Sequence, residues 1–205
     1  MAAARRSGHD PVMPIDFLAF TSDRRISGRI MLADDRLSDM LNAVARLVIR
    51  DATVDELGDD RAPRLADVTI AIGELLVVVG TGPRGSESLR RKSLKRRASV
   101  GLGRFVVEGD LAYPSDGPGL PESNDPSVVL TSRDLLVALT DATIAYQRGE
   151  GAVEETYETV LINRARATWI DLSPAVFLDP HDDQDEDPTS SRKSYVKDFT
   201  NSVAE

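Results

Sequence analysis

The chain has 205 residues, a length that suits one domain or two small ones. Its 34 acidic residues outnumber 25 basic ones, and the net charge of −9 argues against a protein that binds polyanions over its whole surface. Cysteine is absent, which excludes disulfides, thiolate metal sites and cysteine catalysis. The longest apolar run, residues 75–79, is far shorter than the ~20 residues of a membrane helix. Residues 1–14 lack the apolar stretch of a secretory signal, so we expect a cytoplasmic protein without a membrane span.

The first predicted elements are strands around one short helix. Residues 25–32 alternate between apolar and polar side chains, which is typical of a half-buried strand. The next apolar residues recur at helical spacing and predict a short amphipathic helix over 37–44; they are Leu37, Met40, Leu41 and Val44. Further strands are expected at residues 47–54, 68–72 and 77–79.

A basic segment follows, in which residues 84–104 hold eight Lys or Arg residues against Glu87 alone. Because like charges repel and few apolar residues lie between them, residues 84–103 are predicted to be a flexible basic linker. The candidate anion-binding residues in this segment are Arg90, Arg91, Lys92, Lys95, Arg96 and Arg97. Nucleic-acid binding is the less favoured use of the linker, since it has no aromatic residue for base stacking and the whole chain is acidic. Contact with the acidic C-terminal tail, or with solvent alone, is preferred.

The strand pattern then returns. Residues 107–113 match 26–32 at an offset of 81, which places Gly109 over Gly28. Residues 137–144 match 47–54 at an offset of 90, with Asp-Ala-Thr in both, and this offset extends to 167–169 over 77–79. The change of offset implies a nine-residue insertion, expected in the Pro- and Gly-rich stretch 115–126. The interpretation is an internal duplication.

The predicted fold class is therefore mainly β, with two related modules of three to four strands each. The modules span residues 15–83 and 104–178 and pack as a sandwich or as small barrels. Residues 1–14 are expected to be flexible, and residues 179–205 to form a disordered acidic tail. The two histidines, His9 and His181, fall in these termini, where neither has the rigid setting of a general base or a metal ligand.

Three strings of the first module carry a family resemblance: Ile26-Ser27-Gly28, then Arg36-Leu37-Ser38-Asp39-Met40-Leu41-Asn42, then Asp51-Ala52. They resemble an uncharacterised small β-domain family of bacteria with an I-x-G strand, an R-L-S-D-x-L-N turn and a strand that ends in aspartate. The resemblance covers residues 17–80 and extends weakly to 104–172, where the R-L-S-D-x-L-N string is missing. It implies a compact β module and no catalytic residue.

Residues Gly80–Gly85 fit the pattern G-x-G-x-x-G directly after an apolar strand, which is the arrangement of a dinucleotide-binding turn. Glu108 follows at a spacing where a ribose-binding acid occurs. The required crossover helix over residues 86–100 has too few apolar residues to pack on a sheet. A glycine-rich exit into the linker is the simpler interpretation, and nucleotide binding remains an alternative function.

Two serines of the linker, Ser93 and Ser99, lie in R-R-x-S-hydrophobic strings that resemble sites of basophilic kinases. Phosphorylation there would remove positive charge and create phosphate–Arg pairs. The alternative is that Arg-rich linkers produce such strings by chance.

Other polar and aromatic residues favour structural roles. Asp51 and Asp141 are expected to cap turns at the ends of strands. Trp169 is expected in the core or between the two modules. A cation site at Asp34, Asp35 and Asp39 is weak, because the spacing is not that of a calcium loop.

These observations favour a non-enzymatic interaction or regulatory module that uses no cofactor and no metal. Its partner is expected to be a protein, which includes a second copy of the chain because modules with open sheet edges pair through them. Phosphorylation of the basic linker is the predicted means of tuning this contact. The alternatives are a nucleotide-binding protein that uses Gly80–Gly85 and a sequence-nonspecific nucleic-acid binder that uses the linker.

Overall fold

A computed structural model describes residues 13–33, 36–57, 62–82, 93–114, 133–149 and 151–172. These residues belong to one compact unit. The acidic tail, the insertion at 115–126 and both histidines therefore fall outside the described residues.

The described residues form ten strands and one α-helix, which confirms the mainly β prediction and the short helix. The elements are β1 (Met13–Phe20), β2 (Arg24–Leu32), α1 (Leu37–Ala43), β3 (Arg46–Glu56), β4 (Arg64–Ala71), β5 (Val77–Val79), β6 (Ser93–Leu102), β7 (Phe105–Pro114), β8 (Leu136–Arg148), β9 (Gly151–Asn163) and β10 (Trp169–Leu172). Short 3-10 turns, Ile72–Glu74 and Arg164–Arg166, precede β5 and β10. Within the described ranges, no helix is both long and apolar enough to cross a membrane.

All ten strands join one open sheet in the order β10-β6-β7-β8-β9-β5-β1-β2-β3-β4, and each neighbouring pair is antiparallel. We call β1–β5 the first half and β6–β10 the second half. The predicted arrangement of two modules packed as a sandwich or as small barrels is not confirmed. The two halves are continuous, because β5 of the first half pairs with β9 of the second, with Val78 opposite Leu161. We call this pairing the joint.

The prediction of a flexible linker over 84–103 is wrong for residues 93–102, which form β6 between β7 and β10. Alternate residues of β6 enter the core, and Ala98, Val100 and Leu102 are buried. Lys95 and Arg97 are exposed on the opposite face, whereas Arg96 shares the face of Ala98 and is half-buried, so the run of charges obscures the alternation of a strand. Met13 and Pro14 likewise belong to β1, although residues 1–14 were expected to be flexible.

The pairing registers of the first half recur in the second. The pair Ile15 and Ile30 of β1 and β2 corresponds to the pair Arg96 and Leu111 of β6 and β7, at an offset of 81. The pair Leu47 and Ile70 of β3 and β4 corresponds to the pair Val137 and Ile162 of β8 and β9. The offset is therefore 90 between β3 and β8 and 92 between β4 and β9. The predicted offset of 90 for the last strands is therefore wrong by two residues, because the β8–β9 hairpin is longer than the β3–β4 hairpin. Val77 corresponds to Trp169, not to Ala167.

A β-bulge recurs at the same place in each half. Gly28 of β2 lies opposite the extra residue of β3, where Asp51 has a φ of 49°. Gly109 and Asp141 repeat this arrangement with the same φ. Aspartate tolerates the left-handed region better than most residues. The two aspartates therefore lie inside their strands at bulges, which corrects the prediction that they cap turns at strand ends.

The buried side chains form two clusters that share the joint. Val78 belongs to the first cluster, whereas Val77 and Val79 belong to the second, together with Phe20. The Phe20 ring packs against the Phe105 ring, and the two ring centroids lie 5.4 Å apart. Because side chains alternate across a strand, one short strand fills both clusters.

Two asparagines bind backbone across the halves. The Asn42 amide donates to the Leu136 carbonyl at 3.0 Å, and the Leu136 N–H donates back to Asn42 at 2.8 Å. The fully buried Asn163 amide donates to the Leu75 carbonyl at 2.8 Å. Both residues thus satisfy buried backbone groups where strands begin or end.

Alanine at either bulge glycine is expected to destabilise the fold. A Cβ on Gly28 would lie 2.7 Å from the Arg50 carbonyl oxygen, and one on Gly109 would lie 2.9 Å from the Leu139 Cβ. Relieving such contacts costs about 1–3 kcal/mol of unfolding free energy, measurable by urea denaturation. Gly73→Ala is the control, since its Cβ would meet nothing within 4 Å. Equal losses in all three variants would contradict this packing.

Candidate functional site

A groove of about 630 Å³ lies beside β4, the terminal strand of the sheet. Apolar side chains of three neighbouring strands form its floor: Ile26, Val54, Val68 and Ile70. Leu65 lines the same groove and is 44% exposed. Charged residues stand around the floor: Asp23, Arg24, Glu56 and Glu74. An apolar floor with a polar rim is the usual anatomy of a protein-binding surface.

The outer edge of β4 carries backbone groups that no other strand of the described sheet pairs with. The Ile72 N–H donates to the Ala45 carbonyl at 3.0 Å, which shows that the even-numbered residues of this region bond toward β3. Because backbone direction alternates along a strand, the N–H and C=O groups of Asp67, Thr69 and Ala71 point outward. The groove therefore lies next to a free row of hydrogen-bonding groups.

A polar cluster joins the two halves on another part of the molecule. Arg148 contacts Asp55 at 3.1 Å, and Arg25 contacts Glu155 at 3.6 Å. Glu155 also accepts hydrogen bonds from the hydroxyls of Tyr146 and Tyr157. These contacts pair acids of one half with arginines of the other. A second groove, of about 840 Å³, includes Arg25, Asp55 and Tyr157 in its lining.

The charged and hydroxyl groups of this cluster contact one another and connect the two halves. Burial, with the hydrogen bond and charge of Glu155, raises the pKa of both Tyr146 and Tyr157. These phenols therefore stay protonated at neutral pH and donate to Glu155. The Asp55 Oδ2 accepts a hydrogen bond from Arg148, whereas the buried Oδ1 of Asp55 has no hydrogen-bond partner among the described residues. The cluster pairs its own charges across the halves and holds them together.

The predicted basic site is largely engaged with acidic neighbours. Lys95 lies 3.4 Å from Asp141, and Arg97 lies 3.6 Å from Asp110 and 3.9 Å from Glu108. The Arg97 guanidinium also donates to the Asp141 carbonyl at 3.1 Å. Arg96 has an interaction partner as well. The linker prediction thus missed cross-strand charge pairing, which needs the β6–β7 register to be known.

The other three candidates for anion binding, Arg90, Arg91 and Lys92, lie outside the described residues.

The two serine sites differ in their setting. Ser99 lies inside β6, opposite Glu108 on one side and Asp171 on the other. A phosphate there would face two carboxylates, and a paired strand cannot enter a kinase cleft in extended form. The flexible setting expected for Ser99 is therefore wrong. Ser93 is the exposed first residue of β6, and it pairs with Pro114.

The Gly80–Gly85 pattern is described only as far as Gly82. The strand before it, β5, is antiparallel to both neighbours, whereas a dinucleotide-binding turn follows a parallel strand. Residues 93–100, within the required crossover helix, form a strand. Gly82 has a φ of +89°, and a Cβ there would lie 3.3 Å from Ile15, so this glycine serves the close exit of the chain from β5.

Trp169 is not in the core or between the halves. It lies on the terminal strand β10 and is 47% exposed, with its indole across Gly101. Of the weak cation site, Asp34 and Asp35 lie outside the described residues and Asp39 is exposed. Within the described ranges, no group of three or more His, Cys, Asp or Glu residues could hold a metal ion.

The sequence does not reveal the groove, because the floor of the groove comes from three separate strands. The apolar residues of β2, β3 and β4 were each assigned to a strand face, but their exposure depends on whether a further strand covers them. The match of residues 167–169 to 77–79 was a usable signal, because it already placed the one tryptophan on a short closing strand.

No protein-family model, curated protein or solved structure matches this chain.

Glu155→Gln is expected to make tyrosinate form at lower pH than in the wild type. The raised phenol pKa values lie above the unfolded value of about 10, so the stability they contribute is complete below about pH 10 and is lost as the pH rises further. Burial remains in the variant, but the charge of Glu155 is gone. Ultraviolet titration measures the change, and Glu154→Gln, an exposed neighbour, is the control. Identical titrations of Glu155→Gln and the wild type would contradict the assigned contacts.

Proposed function

We propose that this chain is a non-enzymatic protein-binding module that accepts an extended segment of a partner at β4. The observation that carries the proposal is the coincidence of an apolar groove with an unpaired strand edge. An added strand would gain backbone hydrogen bonds from the edge, and its alternate side chains would enter the groove. Groove and edge thus supply affinity and selectivity together.

The charged groups of the described residues support a binding role over a catalytic one. The cluster at Glu155 pairs its own acids and bases, and the raised pKa of Tyr157 removes it as a base near neutral pH. Lys95 and Arg97 face carboxylates, which weakens a nucleic-acid surface on β6. The antiparallel setting of β5 is unlike that of a nucleotide-binding turn.

We further propose that the two halves arose by duplication of one small β module related to the bacterial family that the I-x-G and R-L-S-D-x-L-N strings resemble. The recurrent registers, bulges, Gly–Asp pairs and 3-10 turns support this origin.

Leu65→Lys is expected to abolish capture of the partner. Lysine would place a charge at the mouth of the groove, and the fold should persist because Leu65 is an exposed residue of a terminal strand. Tagged full-length chain is purified from the cells that produce it naturally, and the co-purifying proteins are identified by mass spectrometry. Met31→Lys is the matched control, because Met31 is also exposed but lies on the interior strand β2 outside the groove.

Proteins recovered with the wild type and with Met31→Lys should be missing with Leu65→Lys. Recovery of the same proteins with all three baits would place the binding surface elsewhere and overturn the proposal.

A further inference from the structure

The floor of the groove has a counterpart in the second half that is already covered. The register equivalences relate Ile26, Val54, Val68 and Ile70 to Val107, Ile144, Val160 and Ile162. All four counterparts have no exposed surface, and their cluster includes Val77, Val79 and Phe20 of the first half. The second half is therefore completed by a strand and an aromatic ring that the first half supplies.

Hydrogen bonds hold that covering strand in a defined register. The Asn163 N–H donates to the Leu76 carbonyl at 2.9 Å, and the Gly80 N–H donates to the Thr159 carbonyl at 2.8 Å. The central pair of the joint is Val78 opposite Leu161. The joint is thus a short antiparallel pairing with an apolar side chain of β5 on each side of the sheet.

The strand that corresponds to β5 is β10, at the other terminus of the sheet. Val77, Val78 and Val79 correspond to Trp169, Ile170 and Asp171. No strand of the described residues pairs with the outer edge of β10. The hydrogen bond just before each strand also recurs. The Leu76 N–H donates to the Phe20 carbonyl at 2.8 Å, and the equivalent Thr168 N–H donates to the Gly101 carbonyl at 2.8 Å. β10 is therefore a closing strand without a partner.

The aromatic side chain near the closing strand belongs to a different strand in each half: Phe20 lies on β1, whereas Trp169 lies on β10. Phe20 corresponds to Gly101, and the indole of Trp169 lies across that glycine, close to where a Cβ would stand. Phe20 packs on Phe105 and Tyr146, with ring centroids 5.4 and 5.6 Å away. Trp169 is thus placed to fill, on an equivalent surface, the space that Phe20 fills at the joint.

On the groove of the first half, Arg24 and Glu56 stand where Phe105 and Tyr146 stand in the second. Arg24 and Glu56 lie 3.6 Å apart and both line the groove. A guanidinium stacks well on an indole face, since the ring carries negative charge there. The groove therefore suits a tryptophan side chain, which would contact the apolar floor and stack on the Arg24 guanidinium.

We propose that β10 of one copy of this chain docks on β4 of a second copy, and so repeats the joint between molecules. Ile170 lies opposite Thr69, Leu172 opposite Asp67, and Trp169 enters the groove beside Ile70. Within one chain β4 and β10 are at opposite ends of the sheet, so the partner is another copy. This inference rests on the proposed function and names its partner.

The assembly continues head to tail. Each contact between two copies leaves one β4 edge and one β10 edge free, so addition continues until a ring closes or a filament grows. The solution mass is then a multiple of the 22.3 kDa chain mass.

Purified full-length chain tests the proposal by light scattering and by tryptophan emission across a dilution series. The chain has one tryptophan, so its emission reports on Trp169 alone. The expected result is a multiple of the chain mass at high concentration, with emission that shifts to longer wavelength as dilution releases the indole into water. A single-chain mass at every concentration would overturn the proposal.

Two variants separate the two edges. Thr69→Pro removes an outward N–H of β4, and Leu172→Pro removes an outward N–H of β10, while the bonds to β3 and β6 are spared. Thr69→Ser and Leu172→Val keep these N–H groups and are the matched controls. Each proline variant alone should have the mass of one chain, and each control should associate like the wild type.

Mixing the two proline variants gives the sharpest outcome. Thr69→Pro keeps a free β10 edge and Leu172→Pro keeps a free β4 edge, so the mixture should form a complex of two chains and stop there. Wild-type masses for either proline variant alone, or no complex in the mixture of folded variants, would overturn the proposed contact.

Failure of this inference is distinguishable from failure of the proposed function. A wild-type chain that stays single while Leu65→Lys still loses a different co-purifying protein would leave the groove as a binding site and exclude self-association. A single chain that captures the same proteins with and without Leu65→Lys would remove both.

Discussion

The structure depends on the pairing of three-residue strand β5 with β1 on one side and β9 on the other. Its side chains alternate, so Val78 completes the first cluster while Val77 and Val79 complete the second. Full burial of one such side chain is worth about 1.5–3 kcal/mol, and the same residues also supply the hydrogen bonds of the joint. Neither half has a complete core without this strand, which explains why the halves form one continuous sheet.

The bulges give each half its shape. A strand that carries an extra residue bends and twists more strongly at that point, which lets the sheet curve around a cluster of side chains. Gly28 and Gly109 are needed because the bulged strand approaches too closely for a Cβ. Asp51 and Asp141 combine a left-handed backbone with a paired carboxylate: Asp51 pairs with Arg29 of the neighbouring strand β2, and Asp141 pairs with Lys95 of β6, across the intervening β7. One sequence feature thus shapes the backbone and orders the surface charges.

The same geometry leaves the two termini of the sheet unequal and complementary. β4 borders an apolar groove, and β10 begins with an exposed tryptophan. Exposed edges are a hazard for aggregation, and charged residues on them limit indiscriminate pairing. Arg64 and Asp67 on β4 and Asp171 on β10 have this character. A contact that requires both an indole and a matching groove is more selective than backbone pairing alone.

The sequence by itself determined the strand faces, the helix at 37–44 and the recurrence of Gly28 and Asp51 at Gly109 and Asp141, because these features depend on local periodicity and backbone preference. The alternation in β1 and β6 was also present, but in β6 the run of arginines obscured it. Only the tertiary structure decided that β5 pairs with β9, that Lys95 and Arg97 face carboxylates, and that Trp169 lies exposed at an edge. Periodicity tells which face of a strand is buried and says nothing about which strand lies beside it, because pairing joins residues that are distant in the chain.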